Sequence, residues 1–81
     1  MRKIIGYNLN KEIVEDIIFN DKPFYMMLKN GEEVFGALMG EQKIYLYEIK
    51  NSIVNSNNCL AVITGNDLLK LRDDIEQIEI A

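Results

Sequence analysis

The dipeptide Asn30-Gly31 constrains this chain more than any other stretch. It lies between two apolar segments, Phe24 to Lys29 and Glu32 to Met39. A two-residue type I′ loop needs positive φ at both central positions, which Asn tolerates and Gly prefers. Such a turn fixes a register: Lys29 opposite Glu32, Leu28 opposite Glu33, Met27 opposite Val34 and Met26 opposite Phe35. Strand alternation then puts Phe24, Met26, Leu28, Phe35, Ala37 and Met39 on one face. Tyr25, Met27, Val34, Gly36 and Leu38 fall on the other. Both faces are apolar. This predicts a small, strongly bent barrel, or a sheet whose outer face is covered by a helix or a partner chain. Gly36 predicts a sharp bend or a bulge in the second strand. Gly40-Glu41 turns the chain again, and Lys43 to Ile49 alternates Tyr45, Tyr47 and Ile49 against Ile44, Leu46 and Glu48.

Before the hairpin, Arg2 to Tyr7 is a short apolar segment that could add a strand. Asn10 then reads as a helix N-cap, with Glu12 in the first turn, where a carboxylate meets the positive end of the helix dipole. Leu9, Ile13, Val14, Ile17 and Ile18 form one stripe, while Lys11, Glu12, Glu15 and Asp16 face water. Pro23 disfavours helical geometry at Lys22, so Asn20-Asp21-Lys22-Pro23 ends the helix. After the third strand, Asn51 to Asn58 is the most loop-like stretch, although Ile53 and Val54 could prolong a strand. Cys59 to Thr64 reads as a fourth strand. The last segment has two readings. In one, Asn66 caps a short helix to Asp74, and Ile75 to Ile80 forms the last strand. In the other, Leu68 to Leu71 is a strand following a tight Gly65-Asn66 turn. Leu, Lys and Arg without β-branched neighbours favour the first.

At 81 residues the expectation is one domain with a thin stability margin, which oligomerisation would improve. No apolar run approaches bilayer length, and Met1-Arg2-Lys3 precedes only two apolar residues before Gly6, which is no signal-peptide pattern. The chain therefore reads as cytoplasmic, with no membrane partner. The net charge of −4 is uneven, about +1 over residues 1–30 and −5 over residues 31–81. Non-specific nucleic-acid binding needs a basic surface, which this balance does not supply.

Enzymatic chemistry finds no foothold. The chain has no His and a single cysteine, Cys59, so neither a Ser-His nor a Cys-His arrangement is possible and no metal site or internal disulfide is implied. Cys59 reads as a small buried or half-buried hydrophobe. Glu32/Glu33 and Asp73/Asp74 are sequence neighbours; on a strand such a pair points to opposite faces, which does not preset an acid/base couple. The five glycines are scattered and form no phosphate loop, so no cofactor is implied. Tyr25, Tyr45 and Tyr47 are the candidate protein-interaction residues, since Tyr joins a large apolar ring to a hydroxyl. The competing reading packs these rings half-buried across neighbouring strands. Met26, Met27 and Met39 read as core filler.

Two motifs carry a family resemblance. Leu28-Lys29-Asn30-Gly31-Glu32-Glu33-Val34-Phe35-Gly36-Ala37-Leu38 is similar to the first motif of the Sm-like (LSm) family. Ile63-Thr64-Gly65-Asn66-Asp67-Leu68-Leu69-Lys70-Leu71 is similar to the second. With the preceding amphipathic helix, the resemblance covers roughly residues 9–71. It implies a mainly β (α+β) fold: a small five-stranded antiparallel SH3-like or Sm-like barrel with an N-terminal amphipathic helix. The helix would span about 10–19 and the strands about 24–29, 33–39, 43–49, 59–64 and 75–80. It further implies a non-enzymatic, ring-forming homo-oligomer that binds single-stranded RNA at its pore, with Gln42, Lys43, Thr64, Gly65 and Asn66 as the RNA-binding candidates. Two departures stand out. The loop after the second strand is shortened to Gly40-Glu41-Gln42-Lys43 and has no aromatic to stack a base, and Thr64 stands where the family usually has Arg. The alternative is a small acidic protein-binding adaptor or inhibitor, of a mobile-element type, that docks on a basic protein.

Overall fold

Helix α1 (Lys11–Phe19) begins where the Asn10 side chain accepts a hydrogen bond of 2.9 Å from the Ile13 amide. It buries Ile13, Val14 and Ile17, with Leu9 just ahead of it. The Lys22 ammonium reaches back to Asp16 at 2.9 Å, and the Asn20 side-chain amide donates to the same carboxylate. These two contacts, the ammonium first, hold the Asp16 carboxyl below the usual carboxylate range.

The computed structural model describes all of residues 1–81. Its strands are β1 (Arg2–Ile5), β2 (Phe24–Leu28), β3 (Glu33–Leu38), β4 (Ile44–Lys50), β5 (Ile53–Ile63) and β6 (Ile75–Ile80). They form one antiparallel sheet in the order β1-β6-β2-β3-β4-β5. A short helix, α2 (Gly65–Lys70), and a 3-10 turn at Arg72–Asp74 join β5 to β6. Of the two readings for the C-terminal segment, the helix followed by a strand is the one adopted. The helix starts earlier than expected, with Thr64 rather than Asn66 as its cap. No helix is long and apolar enough to cross a membrane.

The expected five-stranded closed barrel is replaced by an open six-stranded sheet. β2 to β5 run as a meander and β6 returns beside β2, as a barrel would require. Closure would then need β6 to meet β5. Instead β1 pairs along the outer edge of β6, from Arg2 opposite Ile80 to Ile5 opposite Gln77. The side chains of β5 stay exposed from Ile53 to Val62.

The first hairpin also departs from the expected register. Phe24 pairs with Gly36, Tyr25 with Phe35, Met26 with Val34 and Met27 with Glu33, one residue away from the two-residue-loop register. Leu28 and Glu32 flank a three-residue loop in which Leu28 N–H donates to the Glu32 carbonyl at 2.8 Å and Gly31 N–H to the Leu28 carbonyl at 2.9 Å. Only Gly31 is left-handed, with φ of 92°, while the Asn30 side chain accepts from the Glu32 amide. This is the other common hairpin solution, in which one residue of positive φ suffices. Because side chains alternate with period two, the one-residue difference exchanges the faces of β3: Val34 turns inward and Phe35 outward. Paired positive φ values, as a type I′ turn needs, occur instead at Glu41-Gln42, between β3 and β4, and at Asn51-Ser52, between β4 and β5.

The core lies on one side of the sheet. Phe24, Met26, Val34, Ile44, Leu46, Ile78 and Ile80 meet Leu9, Ile13, Val14 and Ile17 of the α1 region and Leu68 of α2. Ile75 completes the cluster, which contains no buried polar residue. Of the three methionines read as core filler, Met26 is buried, Met27 half-buried and Met39 exposed. Gly36 marks no bulge, since the pairing of β3 runs through it without a shift on both sides. Its missing side chain leaves room for the ring of Phe24 directly opposite.

Candidate functional site

Two surfaces collect the residues singled out from the sequence. The first is a depression of about 280 Å³ where α1, the N-terminus of α2 and the β3–β4 turn converge. All five RNA-binding candidates, Gln42, Lys43, Thr64, Gly65 and Asn66, line it, together with Lys11, Glu15 and Glu41. Thr64 is the cap of α2: its hydroxyl accepts from the Asp67 amide at 3.2 Å, and its own amide donates to the Asp67 carboxylate at 2.9 Å. The bond from the Thr64 amide, with that of its hydroxyl, holds the Asp67 carboxyl below the usual range. Gly65 lets α2 approach α1, since a Cβ there would press on Ile18 and Val14. The opposite wall is a tight turn, with Gly40, Glu41 and Gln42 all left-handed, at φ of 80°, 52° and 59°. Lys43 N–H closes that turn on the Gly40 carbonyl at 3.2 Å.

The chemistry of this depression is mixed. Its two cations, Lys11 and Lys43, are matched by Glu15 and Glu41, and Lys11 already faces Glu15 at 3.8 Å. No aromatic ring lines it. Stacking and a concentrated positive charge, which bind single-stranded nucleic acid, are both missing. The Thr64 hydroxyl is occupied in capping.

The second surface is the face of the sheet away from the core. The actual register builds a cross-strand row there, with Glu79 beside Tyr25, Tyr25 beside Phe35, Phe35 beside Tyr47 and Tyr47 beside Cys59. Tyr45 follows two residues further along β4, between Ala37 and Val62. All three candidate tyrosines therefore share one face, and each is half-buried. The helices bury Ile13, Val14, Ile17 and Leu68 in the core on the other side. The face is concave: a depression of about 480 Å³ is lined by Tyr25, Glu33, Phe35, Ile49, Ser52, Val54, Gln77 and Glu79. Tyr25 lies in it, whereas Tyr45 and Tyr47 continue the apolar surface beyond its rim. The Tyr25 hydroxyl donates to the Glu33 carboxylate at 2.9 Å. Burial and then this bond raise the Tyr25 phenol above its ordinary 10.0. Glu79 carries one cation, Lys3, at 3.3 Å.

Phe35, Glu33 and Glu79 are site residues that the sequence reading did not single out. The register would have found Phe35, because the pairing that faces Val34 with Met26 also faces Phe35 with Tyr25. Cys59, expected to be buried or half-buried, is exposed on β5 and its thiol donates weakly to the Ala61 carbonyl at 3.5 Å. No three His, Cys, Asp or Glu side chains gather as a metal-holding cluster. Comparison with protein-family models, with curated proteins and with solved structures found no match to this chain.

Proposed function

We propose that this protein is a non-enzymatic protein-binding module that receives a basic partner on its tyrosine face. The observation that carries this reading is the row Tyr25–Phe35–Tyr47, left uncovered by either helix and bordered by the carboxylates of Glu33 and Glu79. Aromatic faces attract guanidinium and ammonium groups, most of all where water is excluded. Carboxylates at the rim add charge-assisted hydrogen bonds and fix the orientation of an arginine. The overall charge of −4 draws a basic partner from a distance and repels an acidic one.

An oligo-arginine peptide is a direct probe. Titrated into the labelled protein and followed by NMR, it is expected to shift the backbone amides of Tyr25, Phe35, Tyr47 and Glu79. Tyr47→Ala and Glu79→Gln are expected to weaken binding while leaving the core resonances in place. Shifts that gather instead at Gln42, Lys43 and Asn66, or no saturable binding at low salt, would refute the reading.

A second reading is supported by the convergence of Gln42, Lys43, Thr64, Gly65 and Asn66 in one depression. That grouping is what an Sm-like RNA-binding module would need. A ring of that kind would join the edge of β5 to the edge of β6 in the next copy, and β1 is paired along that β6 edge. With no aromatic and no excess of cations, the depression offers little to a base or a phosphate. Retardation of short U-rich or A-rich RNA at low salt, abolished by Lys43→Ala, would make this the better reading.

A further inference from the structure

We propose that the tyrosine face reads an extended segment of its partner at two points, an arginine and an aliphatic residue four positions apart. This rests on the reading of that face as the docking surface for a basic partner. The acidic depression is one of two hollows there. The second is an apolar notch of about 140 Å³ whose lining includes Pro23 and Ala81. Tyr25, Phe35 and Glu79 line both hollows. These three residues form one cross-strand row. Pro23 and Ala81 lie on one side of that row, tied by the Ala81 N–H, which donates to the Pro23 carbonyl at 3.0 Å. Glu33 and Gln77 lie on the other side, both paired with Met27. The Tyr25–Phe35 pair is therefore a ridge between the hollows. The Tyr25 hydroxyl donates to Glu33 at 2.9 Å, which draws its ring toward the acidic side. Behind it Pro23 and Ala81 are short, so the notch stays open.

The hollows differ in chemistry. A guanidinium in the first meets the carboxylates of Glu33 and Glu79 beside the two rings. Apart from Glu79, the side chains lining the notch are uncharged. Its size is close to the ~150 Å³ that admits one benzene-sized apolar group, so it takes a single aliphatic side chain. Successive rows on one face of a sheet lie two residues apart, which puts the rows on either side of the ridge about 13 Å from each other. An extended segment laid along β2 advances at the same ~3.3 Å per residue. Its side chains at i and i+4 then enter both hollows from one side, whereas adjacent side chains point opposite ways. Charge selects the occupant: two carboxylates on a chain of net charge −4 favour a basic segment over an acidic one or a second copy of this chain.

Short Ser/Thr peptides, blocked at both ends and carrying one arginine, test this by NMR titration of the full chain. Leucine four positions from the arginine, on one side of it or the other, is expected to tighten binding ~10-fold over serine at the same place. It should also shift the amides of Phe24 and Ala81. Leucine next to the arginine is expected to add nothing. Ala81→Trp, which fills the notch, should remove the gain from leucine and leave the serine peptide's affinity unchanged. Glu33→Gln, on the other side of the ridge, should weaken both peptides and preserve their ratio. No saturable binding of the leucine peptide, no gain in either order, an equal gain at adjacent and four-residue spacing, or a gain that survives Ala81→Trp in a folded protein would overturn the proposal. Oligo-arginine bound on the tyrosine face without any gain from leucine overturns this proposal alone. Failure of oligo-arginine to bind overturns the reading beneath it as well.

Discussion

Gly36→Ala tests the packing of the hairpin most directly. β2–β3 pairing sets Gly36 opposite Phe24, and a methyl at position 36 would fall inside the ring of Phe24, against Cζ, Cε1 and Cε2. Phe24 is 2% exposed, so its ring cannot swing into solvent without leaving the core. Overpacking of this kind costs ~1–3 kcal/mol. The reduced backbone freedom of Ala relative to Gly returns roughly 0.5–1 kcal/mol. Because the new methyl is fixed to the backbone, the overlap belongs at the upper end, for a net loss of about 2 kcal/mol. An 81-residue domain has about 4–12 kcal/mol in total. The same loss lowers Tm by about 8–16 °C. Urea titration followed by circular dichroism gives the difference from the midpoint at constant slope. Phe24→Leu supplies the control, since with a smaller side chain at 24 the added methyl should cost little. The double-mutant cycle is therefore expected to show a favourable coupling of at least ~1 kcal/mol between the two changes. A Gly36→Ala variant as stable as the parent, or strictly additive losses, would refute this account of Gly36.

Other tests follow from single contacts. Asn10→Ala removes the cap on the Ile13 amide and should cost ~1 kcal/mol in the same urea assay. Asp16 and Asp67 have folded pKa values below the unfolded 3.8, so their contribution to stability is present above that pH and is lost as pH falls through the folded values. NMR titration should place both midpoints below that of an unfolded reference, and Lys22→Ala should return Asp16 toward it. Tyr25 should ionise above 10.0 in an ultraviolet titration, and Glu33→Gln should bring its midpoint down. Cys59 should react with a thiol reagent in the native protein without denaturant, because its side chain is exposed.

Much of the fold is legible in local chemistry. The Asn10 cap, the stripe of Leu9, Ile13, Val14 and Ile17, and the stop at Lys22-Pro23 are all short-range signals, and α1 lies where they put it. The strand segments from Phe24 to Ile49 are likewise marked by their own alternation. What is not legible depends on partners distant in sequence. Whether Arg2–Ile5 forms a strand is decided by the free edge of β6, more than seventy residues on. Cys59 looks like a core residue from its type, but its strand lies at the sheet's edge, where no element covers it. In the first depression, the family resemblance marks Thr64 for what it lacks relative to Arg, whereas its own Thr-x-x-Asp spacing is the pattern of the cap it forms on α2 through Asp67.

The hairpin loop has consequences beyond its own geometry. In the two-residue form, Val34 would share a face with Tyr25 and Met27, and Phe35 would point into the core beside Met26. The three-residue form reverses this. Val34 enters the core at 4% exposure, and Phe35 takes the space between Tyr25 and Tyr47. Glu33 is carried with it to the outer face, within hydrogen-bonding reach of Tyr25. The inner face of β3 then has no large side chain opposite Phe24, and Gly36 occupies that position. A single aromatic is in this way withdrawn from the core, where Phe24 fills the volume across from Gly36, and placed where a partner can reach it. The aromatic row and the buried Phe24–Gly36 contact are two results of one register, so a change that shifted the loop would disturb the core and the candidate binding face together.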